Sequence, residues 1–249
     1  MRLTDYPLVL FVVAVIVLSA SAKLGTKFAH YIEDVRDDFG TIMTATLTLL
    51  GLIVGFSFSM AVGRYDQRKN LEEEEANAIG TEYVRAELLP ATDAAVVRGL
   101  LLEYLDQRIS YYEARDRNAL EDIGSAIARQ QNKLWASLKG PPLANPTALT
   151  ALVVAGMNNV LNSQGYTEAA WLNRIPRAAW FLLGIISICS NLMVGLSLRN
   201  SRSKRFLIVV LPFIVAVSLL LIADIDSPRS GLIHVKPENL ISLAKSLRT

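Results

Sequence analysis

Apolar residues fall in long runs at both ends of the chain and in helical spacing between them. Thr41 to Val62 and Ala178 to Leu198 carry no charge, and Phe206 to Ala223 is shorter but densely apolar, with Pro212 inside. Leu8 to Ala22 is a fourth run of 15 residues. A helix needs about 20 mostly apolar residues to cross a bilayer. The pattern therefore predicts four membrane helices, two at each end. The second continues into Arg64-Tyr65-Asp66-Gln67-Arg68 without a Gly or Pro break after Gly63, which predicts a membrane helix that runs straight on into an aqueous one.

The first run has a rival reading. Ser19-Ala20-Ser21-Ala22 before Lys23 has the small residues of a signal-peptide cleavage site. Against it, the leading segment holds only Arg2, offset by Asp5. Retention as a membrane helix is the expectation.

Residues 63–177 repeat apolar positions every three or four residues, the period of amphipathic helices rather than of strands. Glu72 to Leu88 extends the second membrane helix and stops at Pro90. Asp93 is placed to cap a helix running to about Asp116, with Val97, Leu100, Leu101, Tyr104 and Tyr111 on its apolar face. A third shows Leu120, Ile123, Ile127, Leu134 and Leu138, and ends at Gly140-Pro141-Pro142. Thr147 to Asn162 makes a fourth, with Leu149, Leu152, Val153, Gly156 and Val160. Short helices of this kind need packing partners, so they are expected to form a bundle. Trp171 and Trp180 flank Arg174 and Arg177, as an interfacial anchor would.

The expected organisation is an all-α integral membrane protein with four transmembrane helices (2+2) and a helical extramembrane bundle between the pairs. Its parts are residues 1–62, 63–177, 178–223 and a tail, 224–249. Composition agrees: 52% of residues are hydrophobic and 19% charged, against about 25% charged in soluble domains. A net charge of +2 gives no case for nucleic acid. The lone Cys189 excludes a disulfide framework. Basic residues near helix ends divide almost evenly. Lys23, Lys27, Arg36 and the four in Arg199 to Arg205 lie on one side; Arg2, Arg64, Arg68, Lys69, Arg174, Arg177, Arg229 and Lys236 lie on the other. The positive-inside rule does not choose an orientation.

The chain has no Walker phosphate loop, His-Glu-x-x-His, Gly-x-Ser-x-Gly or clustered Cys, and its two histidines, His30 and His234, are far apart. No catalytic residue and no cofactor is assigned, and the chain is not expected to be an enzyme. The second membrane helix carries a stripe of Thr41, Thr44, Thr48, Gly51, Gly55 and Ser59. Two readings are open: close helix packing, as small residues and GxxxG serve in lipid, or a pore wall in which Leu52 and Phe56 form an apolar constriction. Asn191, on a face with Gly184, Ser187 and Gly195, is either interhelical glue or a polar contact to the pore helix. Glu72 to Glu75 reads as a solvated face with Arg68–Glu72 spaced for pairing, or as rings of charge in an oligomer. Asp224 and Asp226 lie beside Ser227, Pro228 and Gly231: a capped turn, or weak candidates for a cation site.

With these residues in view, the chain resembles the bestrophin-like domain family of bacteria and, more distantly, the bestrophin anion channels. Gly55-Phe56 followed by Arg64-Tyr65 is similar to the pore helix of bestrophins. Glu74 to Thr81, Leu88-Leu89-Pro90 and Asp224-x-Asp226-x-Pro228-x-x-Gly231-Leu232-Ile233 resemble the bestrophin-like family over nearly the whole chain. The resemblance implies a homo-oligomer, pentameric by analogy, in the inner (plasma) membrane, in contact with the lipid bilayer and passing small ions, anions by analogy. It implies neck positions at Thr48, Leu52 and Phe56, a pore-helix exit at Arg64, Tyr65 and Arg68, and a calcium clasp near Asp224 and Asp226. Thr48 stands where a bulky neck residue is expected, and the acidic cluster is sparse. The alternative is a non-conducting membrane scaffold or sensor whose helical domain binds a partner.

Overall fold

The computed structural model describes residues 3–29, 36–140, 146–198 and 206–249. The loop Arg199 to Arg205, His30 and the pair Pro141-Pro142 lie outside the described residues. The described residues are helical, with no strand among them, and four helical stretches are long and apolar enough to cross a membrane. The helices are α1 (Pro7–Phe28), α2 (Arg36–Arg85), α3 (Ala91–Glu113), α4 (Arg117–Ser137), α5 (Ala148–Leu172), α6 (Arg177–Ser197), α7 (Leu207–Asp226) and α8 (Glu238–Ser246), with 3-10 turns at Leu3–Asp5 and Ala86–Leu88. Contacts divide the chain into two units: residues 1–65 with 174–234, and residues 66–173 with 235–249. The tail is split between them.

In the first unit, Pro7 opens α1 at a position where its missing N–H costs nothing. α1 packs against α6 and α7. Ala14 and Leu18 of α1, Leu50 of α2, Leu183 of α6 and Val215, Ala216 and Leu219 of α7 share one core. The crossing of α1 and α6 is close enough that a Cβ on Gly25 would lie 2.2 Å from the Leu192 carbonyl oxygen, and one on Gly195 would lie 2.0 Å from that of Ala22. Ser21 Oγ donates to the Ile188 carbonyl at 2.8 Å across this contact. Backbone meets backbone here because both helices offer glycine at the same level. Ser19 to Ala22, read from the sequence as a possible cleavage site, thus belongs to a packed helix.

In the second unit, Ile79 of α2, Val97, Leu101 and Leu105 of α3, Ile127 and Leu134 of α4, and Val153, Met157 and Val160 of α5 are fully buried. Several sequence expectations are corrected here. The α3 cap is Pro90, while Asp93 lies in the first turn. Asp116 instead caps α4, accepting from the amides of Asn118 and Ala119 at 3.0 and 3.1 Å. Helix α5 continues ten residues past Asn162, through Gly165 to Leu172, because no proline follows until Pro176. Its Leu149 and Leu152 are exposed rather than in the core. Trp171 is no interfacial anchor: it is buried edge-on to Tyr112, with ring centroids 5.2 Å apart, and beside Tyr111 at 5.8 Å.

Candidate functional site

α2 is unbroken from Arg36 to Arg85, and in the first unit its two sides differ. Leu50, Ser57 and Ala61 are buried, with Ile53 and Val54 half-buried beside them, facing the cores that α1, α6 and α7 supply. The opposite side carries Thr44, Thr48, Gly51, Leu52, Gly55, Phe56 and Ser59, all exposed in the single chain. Leu52 is 52% and Phe56 62% exposed, one helical turn apart.

Gly51 and Gly55 decide between two uses of the stripe within one chain. A Cβ at either would meet nothing within 4 Å, so among the described residues this GxxxG packs no helix of its own chain. The intrachain close approach belongs to Gly25 and Gly195.

Threonine hydroxyls on this stretch of α2, two of them in the stripe, are turned back onto the helix. Thr44, Thr46 and Thr48 donate to the carbonyls of Gly40, Ile42 and Thr44 at 2.9, 2.8 and 2.9 Å. Each of these three hydroxyl protons is thereby used. Between Gly40 and Leu52 this side forms an open groove of about 770 Å³ lined by Thr41, Thr44, Ala45, Thr48 and Leu49.

Beyond Ser59, Tyr65 packs against the core of Ala61, Ile175, Ile222 and Ile225, and Arg64 is half-buried. Arg68 is 2% exposed. It starts a buried face at heptad spacing: Arg68, Glu72, Glu75, Ile79 and Glu82 on α2, then Ala86 in the 3-10 turn. The acidic run is therefore not one solvated face, since only Glu73 and Glu74 are exposed. Glu72 accepts from the amides of Asn239 and Leu240 at 3.0 Å each and from Asn239 Nδ2 at 2.6 Å, capping α8. Burial nonetheless pushes its pKa above the ordinary glutamate value. Glu75 is paired with Arg108 and accepts from Tyr112 and Thr167, at 3.2 and 3.3 Å. Sequence reasoning missed this face. The signal was present in the 4-3-4-3 spacing of Arg68, Glu72, Glu75, Ile79 and Glu82, which is that of a seam.

Asn191 is fully buried, but its Nδ2 donates to the Ser187 carbonyl of its own helix at 2.7 Å. The interhelical hydrogen bond at this crossing is made by Ser21.

Asp224 and Asp226, which lie in the last turn of α7 rather than after it, are occupied by protein donors. The two Asp224 carboxylate oxygens accept the amides of Leu232 and Ile233, each at 2.8 Å. Asp226 accepts the Ile175 amide at 3.0 Å. Arg174 pairs with Asp5 and reaches Ser227 Oγ at 3.4 Å. A Cβ on Gly231 would lie 2.4 Å from the Asp224 carbonyl, so the turn closes on glycine. The residues do not fit a calcium site: both Asp224 oxygens are bound to N–H groups, and no group of three acidic, His or Cys side chains gathers among the described residues.

A family model described as a bestrophin-like domain matches residues 8–240. Among solved structures, a variant of a bacterial bestrophin homolog from Klebsiella pneumoniae matches with a TM-score of 0.69 at 13% identity, covering 95% of this chain and 97% of that one. A second structure of the Klebsiella pneumoniae homolog matches with a TM-score of 0.65 at 15% identity, over 94% and 98% of the two chains. Likeness at this identity establishes the fold. No curated protein sequence matches.

Proposed function

The chain belongs to the bestrophin-like family, and from that membership we propose that it is a homo-oligomeric membrane channel, passing small ions passively through a pore lined by α2. By resemblance the ions are anions, the oligomer is a pentamer and the membrane is the inner (plasma) membrane. One observation carries the reading. The side of α2 bearing Thr44, Thr48, Gly51, Leu52, Gly55, Phe56 and Ser59 has no partner among the described residues of its own chain, and its glycines meet none of them. Threonine, serine and glycine gain little from facing lipid tails, whereas they suit either a neighbouring helix or a wet path. In a ring of subunits, Leu52 and Phe56 one turn apart would form stacked apolar rings that gate by dewetting. Thr48 would form a wider ring above them. The buried packing of Tyr65 and Arg68 would hold the helix beyond the constriction.

Purified protein in liposomes is expected to pass ions, and Phe56→Ala to raise the flux. Absence of flux in both proteins, across several anions and cations, sinks the proposal, as does a monomeric particle in lipid.

A scaffold or sensor is favoured by a different observation. Leu149, Leu152 and Tyr166 of α5 are exposed in the second unit. On that reading full-length protein recovers a specific partner, and Leu152→Glu abolishes the recovery without changing flux.

A further inference from the structure

Glu82 stands apart from the other acids on the buried face of α2. Glu72 is held by three donors and Glu75 by Arg108, but neither carboxyl oxygen of the fully buried Glu82 has a hydrogen-bond partner among the described residues. Its neighbour across the contact is Gly156 of α5. A Cβ on Gly156 would lie 1.8 Å from Glu82 Oε2 and 2.8 Å from Arg85 Nη1, so α5 has no side chain where the carboxyl needs room.

The charges around it do not neutralise it. α5 carries no Asp, Glu, Lys, Arg or His from Ala148 to Thr167. In the 3-10 turn, Glu87 is paired with Arg98 of α3, whose Nε donates to the Tyr83 carbonyl at 3.2 Å. Among the described residues Arg85 offers the nearby positive charge, and it offsets only part of the cost of burial. An ionised carboxylate with no donors in a dry site is far costlier than the neutral acid. Burial accordingly pushes the Glu82 pKa up from 4.5 to about 8.

We propose that Glu82 is a proton-binding site: the neutral acid fits against Gly156, and loss of its proton loosens α5 from α2, so that packing of the second unit responds to pH. The proposal does not depend on conduction. Below about pH 4.5 the folded and unfolded chains both hold this proton. Between 4.5 and about 8 only the folded chain holds it, so its contribution to stability falls as pH rises through that window. Above about 8 the folded form carries the buried charge and the full cost.

The test is an infrared titration of the full-length protein with ¹³C-labelled glutamate. Wild type at pH 7 is expected to show a carboxylic-acid carbonyl band that is lost as pH passes about 8, and Glu82→Gln is expected to lack it. Amide exchange in residues 148–172, corrected for the intrinsic pH effect, should accelerate over the same range in wild type and stay flat in Glu82→Gln. A wild-type protein with no protonated glutamate at pH 7 overturns the proposal, and this arm holds even where the variant fails to fold. Identical exchange profiles in the two proteins overturn it equally.

Discussion

Arg108 and Glu75 are paired inside the second unit with neither side chain reaching solvent. Arg108 Nη2 lies 3.2 Å from Glu75 Oε2, Nε donates to the other oxygen, and the guanidinium lies 4.8 Å from the Tyr111 ring centre. The positive charge of Arg108 is held more firmly than usual because Glu75 outweighs the burial. Breaking a buried pair costs about 3–5 kcal/mol, here offset in part by the half-exposed Glu168, which lies 3.8 Å from Arg108 Nη1. Glu75→Leu is therefore expected to lower the thermal midpoint of purified protein sharply. Adding Arg108→Met should recover much of the loss, and an additive double mutant would contradict the pairing.

Glu72 caps a helix that begins 166 residues later, at Glu238. Helix α8 has nine residues, too few to be stable alone, and its Leu240 is fully buried. Loss of an N-cap costs about 1 kcal/mol, and here one carboxylate serves three donors. Glu72→Ala should speed amide exchange across residues 238–246 while leaving α4 unchanged. Equal protection of α8 in both proteins would remove the cap from the account.

The two small-residue stripes should respond oppositely to added bulk. A side chain on Gly25 or Gly195 meets backbone atoms within 2.2 Å, so the helices themselves must move. Overpacking costs about 1–3 kcal/mol where side chains can yield; here it should exceed that. Gly25→Val and Gly195→Val are expected to lose monodisperse protein in detergent. Gly51→Ala and Gly55→Ala should leave the fold of the single chain intact, with any effect confined to assembly or flux.

The acidic turn needs no metal on the present geometry. Thermal stability should be the same in chelator and in millimolar calcium. Asp224→Asn should lower it by about 1 kcal/mol, the ordinary net worth of one hydrogen bond, since an amide oxygen replaces only one of two acceptors for these part-buried amides. A calcium-dependent rise in midpoint would contradict this.

Length and apolar content are local properties, and the sequence alone determined what depends on them: four spans in two pairs, an all-helical chain, and an α2 that passes Gly63 without a turn. The bestrophin-like resemblance was equally legible, because it rests on short motifs such as Gly55-Phe56 and Asp224-x-Asp226. Facing was decided only by the tertiary structure. A helical period marks which residues share a side but not what covers that side. Glu72 and Glu75 lie on one face whether water or Arg108 meets them, and only the approach of α3 and α8 chose burial. Small residues likewise permit close approach without selecting it. Ser21, Ala22 and Gly25 are locally as unremarkable as Gly51 and Gly55, yet α6 brings Gly195 against the first set and nothing among the described residues meets the second. That choice depends on contacts more than 160 residues apart, which no local pattern encodes.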